Sequence, residues 1–346
     1  MVLEWKAPIG ARLFDVVAGR DTDQVYVAAD DCVLVLAGSD IAARIPVGPD
    51  TKRLILGDDE AFLYVPGYDG SVRIITTADH TVTTIYGSPS TAEVVSPSGR
   101  HLYTAHMATS RESFESLISA TAADGTSITT VAIENYATGM DLSPDGDHLY
   151  VATSRLSSYT QYFPGSITVI DTAQHDVVDI IAVPLSPDTV TVSPDGSRVL
   201  VTHYDTNSIS AIDVETREVT SMRLPDAPLS AAVTPDGTGV YVIGMQSLVA
   251  VDFPTKIAEI IPAGEMPRQM KFSRDGALAC VTDLASSAVV VLDTITNSVI
   301  SAVQLDGHPE ALALSGDGEL LYVADYWGGT LSAISIASVV RDAEAA

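Results

Sequence analysis

The chain has 346 residues, of which 46% are hydrophobic, and its mean hydropathy is +0.24. No run approaches the roughly 18 uninterrupted apolar residues of a membrane helix, and the N-terminus lacks a basic segment followed by an apolar one, so we expect a cytoplasmic protein without a membrane partner. A formal charge of −27 disfavours nucleic acid as a partner, because no basic run offsets the repulsion of phosphates.

A unit of about 40 residues recurs along the whole chain. In each copy an apolar run ends in Ser or Thr, a turn resembling Pro-Asp-Gly follows, and a second strand begins, most clearly at 142–151 and 192–201. Because one such unit cannot bury its own apolar faces, the pattern predicts an array of stacked repeats. The central residues of the second strands are Tyr26, Tyr64, Tyr103, Tyr150, Leu200, Tyr241, Cys280 and Tyr322.

Strand candidates follow one another in chain order with turn residues between them. Segment 2–7 is the first, and unit five shows the full set of four at 188–193, 198–203, 208–213 and 218–223. The eighth unit lacks a fourth strand after 330–336. We therefore predict an all-β propeller of four-stranded blades over residues 1–338, closed by segment 2–7, with a C-terminal tail at 339–346. Eight blades are expected, with seven as the alternative because the turns at 21–23 and 58–60 are degraded.

The amino-acid sequence of the repeats resembles that of a known family. Segments 321–324 (Leu-Tyr-Val-Ala), 167–172 (Ile-Thr-Val-Ile-Asp-Thr) and 45–49 (Ile-Pro-Val-Gly-Pro) are similar to the YVTN-type β-propeller repeats of lactonase-like and surface-layer-like proteins. The resemblance covers essentially the whole chain and implies the propeller fold. It leaves function open, because such propellers include lactonases, lyases, haem-binding domains and interaction platforms.

One position of the innermost strand breaks the apolar pattern. Three residues before the end of this strand the units carry Asp15, Leu54, Glu93, Met140, Val190, Ala231, Met270 and Leu312. An unpaired carboxylate on a packed face is costly, so the two acids must meet a partner, water or a proton. We predict that Glu93, and also Asp15, faces the central channel as a general acid or base or as a cation ligand. The alternative is a carboxylate bonded to backbone amides of the next blade.

Two histidines stand at the end of the second strand. This position holds Ala29, Gly67, His106, Thr153, His203, Gly244, Asp283 and Asp325. Asp283 and Asp325 are expected to form local turns. His106 and His203 titrate near neutrality and could join Glu93 in a proton-transfer or metal cluster, although their spacing is not that of a strong metal motif. The alternative is two exposed rim histidines.

The rim that carries these histidines also has two long connections. They contribute Arg111 from unit three and Arg155, Tyr159 and Tyr162 from unit four. Guanidinium groups bind carboxylate or phosphate and aromatic rings stack, so we predict a binding site for an anionic or aromatic ligand. Other rim residues expected to bind ligand are Tyr204, Tyr326 and Trp327. The alternative is ordinary solvated loops.

These features predict a small-molecule-binding propeller, an acid-base enzyme of lyase, isomerase or lactone-hydrolase type acting at the channel mouth. In this hypothesis Glu93 and His106 exchange protons with the ligand, while His203 assists or coordinates a divalent cation. One alternative is a non-catalytic scaffold for a protein partner. A further alternative, by analogy with other eight-bladed rings, is a haem-type cofactor platform with His106 or His203 as axial ligand.

Overall fold

The Ser-Pro-Asp-Gly motif forms a hydrogen-bonded hairpin turn in the computed structural model, which describes residues 2–49, 51, 53–108, 115–154 and 164–344. Ser193 Oγ donates to Asp195 Oδ1 at 2.5 Å and accepts from the backbone N–H of Arg198 at 3.0 Å. Gly196 has a φ of 71°, which glycine adopts without strain. Hydrogen bonds from Ser193 and Ser197 lower the pKa of Asp195 to about 2. The motif therefore joins first and second strands by local chemistry alone.

Eight antiparallel four-stranded sheets form the blades of a propeller. From the innermost strand outward, blades 1 to 4 contain β2 (Leu13–Ala18), β3 (Gln24–Ala29), β4 (Cys32–Ala37) and β5 (Asp40–Pro46); β6 (Ile55–Leu56), β7 (Phe62–Pro66), β8 (Ser71–Thr76) and β9 (Val82–Tyr86); β10 (Ser90–Val95), β11 (His101–Met107), β12 (Glu115–Ala122) and β13 (Ser127–Glu134); β14 (Tyr136–Leu142), β15 (His148–Ser154), β16 (Pro164–Asp171) and β17 (Asp176–Leu185).

The second half of the ring repeats this order. Blades 5 to 8 contain β18 (Pro187–Val192), β19 (Arg198–His203), β20 (Ser208–Asp213) and β21 (Val219–Arg223); β22 (Pro228–Val233), β23 (Val240–Gly244), β24 (Leu248–Asp252) and β25 (Ile257–Ile261); β26 (Pro267–Phe272), β27 (Leu278–Asp283), β28 (Ala288–Asp293) and β29 (Ser298–Gln304); β30 (Pro309–Leu314), β31 (Leu320–Asp325), β32 (Thr330–Ser335) and β1 (Leu3–Pro8). A 3-10 turn at Tyr204–Thr206 and helix α1 at Ile336–Glu344 complete the described elements.

The N-terminal strand closes the ring. β1 pairs antiparallel with β32, so that Ala7 lies opposite Leu331 and Trp5 opposite Ala333. The Trp5 ring packs against Tyr322 with centroids 5.9 Å apart. The predicted closure and the count of eight blades are confirmed, and the seven-bladed alternative is wrong.

The core lies between successive blades rather than within them. One hydrophobic cluster, for example, joins Tyr150 and Ile167 of blade 4 to Val199 and Val201 of blade 5. The innermost strands of several neighbouring blades contact one another around an axial channel. Helix α1 packs Ile336 and Val339 into the cluster around Cys280, so that part of the predicted tail belongs to the propeller body. Within the described ranges, no helix is long and apolar enough to cross a membrane.

The ring has an upper face and a lower face. The upper face carries the connections between second and third strands and those from one blade to the next. The lower face carries the connections between first and second strands, including the Ser-Pro-Asp-Gly turns. Each innermost strand runs from the upper face to the lower face, so its first residues lie near the upper end of the channel.

Candidate functional site at the upper end of the channel

Equivalent residues of the eight innermost strands lie at the same level along the channel. Strand register shows that Glu93 is the one carboxylate among the eight residues of its level. Glu93 lies opposite Thr104, and Val190 lies opposite Val201 in the equivalent position of blade 5. In blade 1 this position belongs to Val16, which lies opposite Val27, and not to Asp15. Asp15 therefore occupies the neighbouring level, and its alignment with Glu93 was wrong by one residue.

Glu93 forms an ion pair across the junction of blades 2 and 3. Its side chain is only 2% exposed, and Oε2 lies 3.1 Å from Arg53 Nη2. The same guanidinium donates to the Glu93 backbone carbonyl, while Ser90 Oγ donates to Oε1. This carboxylate therefore orients Arg53, whose side chain remains 42% exposed and lies just before the innermost strand of blade 2.

Three buried polar atoms of blades 2 and 3 have no hydrogen-bond partner among the described residues. Among the described residues, the buried side-chain atoms without a hydrogen bond are Thr51 Oγ1, Arg53 Nε and His106 Nδ1. Thr51 and Arg53 belong to the connection that enters blade 2, and His106 ends the second strand of blade 3 opposite Ser90. All three therefore lie toward the upper face in two adjacent blades. Unpaired buried polar atoms are costly, so their concentration here indicates a place for a polar ligand or water.

His106 has one occupied and one open ring nitrogen. Nε2 lies 2.7 Å from Thr104 Oγ1, the residue opposite Glu93, while Nδ1 is buried without a partner among the described residues. Whether Thr104 donates or accepts depends on the tautomer of the ring. In either tautomer Nδ1 is left to accept or donate a proton toward a ligand.

His203 has a different environment. Its side chain is 0% exposed, Nδ1 lies 3.1 Å from the Leu185 carbonyl, and Nε2 lies 2.8 Å from Ser210 Oγ. Ser210 Oγ is in turn hydrogen-bonded to Ser221 Oγ at 2.8 Å. Burial lowers the pKa of His203 to about 4, although the Leu185 carbonyl acts in the opposite direction. The expectation of an exposed rim histidine is wrong for His203, and both nitrogens are engaged with protein atoms.

Asp283 and Asp325, which end the second strands of blades 7 and 8 as His203 does in blade 5, accept hydrogen bonds from backbone N–H groups of nearby turns. Asp283 is fully buried, and Oδ1 accepts from the backbone N–H of Met266 at 2.6 Å while Oδ2 accepts from that of Ser286 at 2.9 Å. Burial opposes its ionisation, but these donors and the Ser286 hydroxyl hold the pKa of Asp283 below its usual range. Asp325 Oδ1 accepts from the backbone N–H groups of His308 and Gly328, each at 2.9 Å.

The aromatic residues predicted on the rim lie in two places. Trp327 is 66% exposed and stacks edge-on against Tyr326, with ring centroids 4.7 Å apart. Tyr204 is 40% exposed and its hydroxyl contacts Met245 Sδ at 3.1 Å. These residues belong to blades 8, 5 and 6. The four predicted loop residues, Arg111, Arg155, Tyr159 and Tyr162, lie outside the described residues.

Acidic side chains of the innermost strands join adjacent blades. Asp15 Oδ2 accepts from the backbone N–H of Leu54 at 2.8 Å, and Asp141 Oδ2 accepts from that of Val192 at 2.8 Å. Burial raises the pKa of both carboxyls, that of Asp141 to about 6, against the opposing effect of the backbone donors. For Asp15, the alternative of bonding to amides of the next blade describes the geometry found.

Sequence reasoning missed two channel cations. Arg53 directly precedes Leu54 and Lys271 directly follows Met270, and Leu54 and Met270 are the residues of their blades that are equivalent to Glu93. Both oppose the increase that burial causes in the pKa of Asp15, as positive charges near this carboxyl do. An alignment of the residues directly before and after the Glu93 position in all eight innermost strands could have found these two cations.

The described donor side chains do not form a site for a metal ion or a haem. Over the described ranges, no group of three or more His, Cys, Asp or Glu side chains is arranged to hold a metal ion. His203 could serve as a ligand only by giving up a hydrogen bond in a fully buried position. The described side chains therefore do not fit a divalent cation, and His203 does not fit an axial ligand.

Comparisons with known proteins bear on the fold alone. No family model matches the chain, and no curated protein matches it. Among solved structures, a chain of hydrazine synthase from Kuenenia stuttgartiensis is similar, with a TM-score of 0.61 and 15% identity, over 96% of this chain and 98% of that one. At this identity the likeness supports an eight-bladed propeller and leaves its ligand open.

Proposed function

We propose that the protein binds a small molecule with an anionic group at the upper end of the channel and acts on it by acid-base chemistry. The observation that carries this proposal is the concentration of unpaired buried polar atoms around the Arg53–Glu93 ion pair. A lyase, isomerase or lactone hydrolase needs one proton-transfer group and one group that holds negative charge, and this junction offers both.

The chain's own residues take distinct roles in this proposal. His106 Nδ1 accepts or donates the proton, and Thr104 fixes its ring through Nε2. Arg53 binds the anionic group through the part of its guanidinium that Glu93 does not use. Glu93 is a positioning residue, because it holds Arg53 in place. Arg111, Arg155, Tyr159 and Tyr162 remain predicted ligand contacts from sequence, while His203 is left out because both of its nitrogens are occupied.

The test is turnover of a panel of aliphatic and aromatic hydroxycarboxylates and their lactones, followed by NMR. We expect His106→Gln to reduce kcat at least a hundredfold and Arg53→Gln mainly to raise KM, each with a nearly unchanged melting temperature. His101→Gln and Arg100→Gln change exposed side chains of the same blade and are the matched controls. Equal losses in the His101 and His106 variants, or no binding of any panel compound to the wild type, would contradict the proposal.

A second candidate function is recognition of a protein partner on the upper rim. Exposed apolar side chains lie there on five blades, at Tyr68, Met107, Tyr204, Met245 and Trp327. The acidic net charge favours a basic segment with apolar residues as the partner. A cationic amphipathic peptide should then shift the fluorescence of Trp327, and Tyr68→Ser should weaken its binding; an unchanged spectrum at millimolar peptide would exclude this candidate.

A further inference from the structure

The lower half of the channel widens into a cavity of about 850 Å³. It is lined by the innermost strands of blades 7, 8, 1 and 2, by the turns that follow them, and by Pro235 in the corresponding turn of blade 6. None of the described residues of the upper site lines it. Its volume lies within the range typical of small-molecule sites, roughly 300–1,000 Å³. This cavity is therefore a separate candidate site on the same axis.

Apolar side chains form much of the cavity wall. Val17, Leu56, Phe272 and Leu314 contribute to it from four neighbouring blades. Such a wall favours a ligand with a hydrocarbon or aromatic body, because burial of apolar surface gives roughly 25 cal/mol per Å².

Cationic side chains are concentrated in the same cavity. The chain has only 18 Lys and Arg among 346 residues, yet Arg20, Lys271 and Arg274 all line this space. In the part of the chain that the structure describes, none of the three forms an ion pair. Lys271 belongs to the innermost strand β26 and lies deeper than Arg274, which is in the turn after that strand.

Acidic residues of the same cavity have other partners or positions. Glu60 uses its carboxylate to accept from the backbone N–H groups of Arg20 and Asp21 and from the Thr22 hydroxyl. Asp21 and Asp58 lie in the turns at the lower face, at the mouth. Among the described charged residues that line the cavity, Lys271 is therefore the one that belongs to an innermost strand and not to a turn.

We infer that the lower cavity binds an amphipathic monocarboxylate, with its carboxylate on Lys271 and its apolar body against Leu56, Phe272 and Leu314. Arg20 and Arg274 add positive potential at the mouth and attract the anion into the channel. The inference goes beyond the proposed function, because it concerns the opposite end of the channel and shares no residue with the upper site.

Isothermal titration with decanoate tests this inference on the full chain. We expect decanoate to bind and Lys271→Met, which keeps the length of the side chain and removes its charge, to weaken binding about tenfold. Lys256→Met is the matched control, because Lys256 is exposed in a turn of blade 6 outside the cavity. Decyltrimethylammonium, which has the same chain length and the opposite charge, should not bind.

Two further outcomes locate the ligand. Arg53→Gln should leave decanoate affinity unchanged, since Arg53 does not line the lower cavity. Ala18→Phe, which places a ring at the cavity wall, should abolish binding while circular dichroism shows a folded chain. The inference is overturned if wild type binds no decanoate at millimolar concentration, if Lys271→Met and Lys256→Met bind equally, if the cationic detergent binds as well, or if Arg53→Gln abolishes binding.

Discussion

Asp141 of blade 4 accepts a hydrogen bond at 2.8 Å from the backbone N–H of Val192 in blade 5, 51 residues further along the chain. Asp15 makes the same bond to Leu54, 39 residues away, between blades 1 and 2. In each case a half-buried carboxylate connects two innermost strands that no backbone ladder joins. Contact between blades at these two junctions therefore includes a titratable side chain.

Asp141→Asn should change how stability depends on pH. The pKa of Asp141 is raised from 3.8 to about 6, so the folded state holds its proton more strongly than the unfolded state. Stability from this group is present at low pH and is lost as pH rises from about 4 to 6, by at most about 3 kcal/mol. The unfolding free energy of wild type minus that of Asp141→Asn, measured by urea denaturation at each pH, should therefore fall as pH rises through that window. A constant difference would contradict the assignment.

His203→Gln should show the opposite trend. The pKa of His203 is lowered from 6.5 to about 4, so the unfolded state binds the proton first as pH falls. The stability advantage of wild type over the variant should therefore grow as pH rises from 4 to 6.5, again by at most about 3 kcal/mol. Urea midpoints at four pH values measure it, and His101→Gln, at an exposed position, should show no such trend.

Ala7→Asp should open the ring. Ala7 is buried in β1 opposite Leu331, and a carboxylate there would be desolvated without a partner, at a cost of several kcal/mol. We expect a lower melting temperature and concentration-dependent association in size-exclusion chromatography, because β32 would lose its edge partner. Glu4→Gln, at an exposed position of the same strand, should leave both unchanged. A monomeric Ala7→Asp variant with wild-type stability would contradict closure by β1.

Asp283→Ala should destabilise the protein more than Asp325→Ala. Asp283 is fully buried and satisfies two backbone N–H groups and a hydroxyl, whereas Asp325 is partly exposed. Removing the first acceptor leaves buried donors unpaired, which costs about 2–3 kcal/mol, and removing the second costs about 1 kcal/mol. Urea denaturation of the two variants measures the difference, and equal losses would show that burial does not set it.

The fold could be predicted because its signals are local. In blade 5 the second and third strands, Arg198–His203 and Ser208–Asp213, were predicted at the bounds observed, and the first was displaced by a single residue. Turns such as that at Ser193 are formed by side chains two to five residues apart, which a sequence displays directly. The closing strand followed from counting strands.

The site was less predictable because its contacts join distant blades. Asp15 was misaligned because blade 1 has Gly19 at a position where six of the repeats have Ser or Thr; only blade 2, with Gly57, shares the glycine. Gly19 N–H donates to the Gln24 carbonyl as Ser96 N–H does to that of His101. Arg53 reaches Glu93 across 40 residues, and only the ring brings them together. His203 is buried and contacts the Leu185 carbonyl at the end of blade 4, a contact between blades that no sequence spacing reveals.

Closure by β1 also has a consequence for synthesis on the ribosome. Leu3 pairs with Ile334, so an early-translated segment waits unpaired until nearly all the other strands have emerged. Until β1 docks on β32, both strands have an unpaired edge, and chains translated from the same message could exchange their β1 strands. Crowded polysomes are therefore where this toroid is most exposed to swapping between copies.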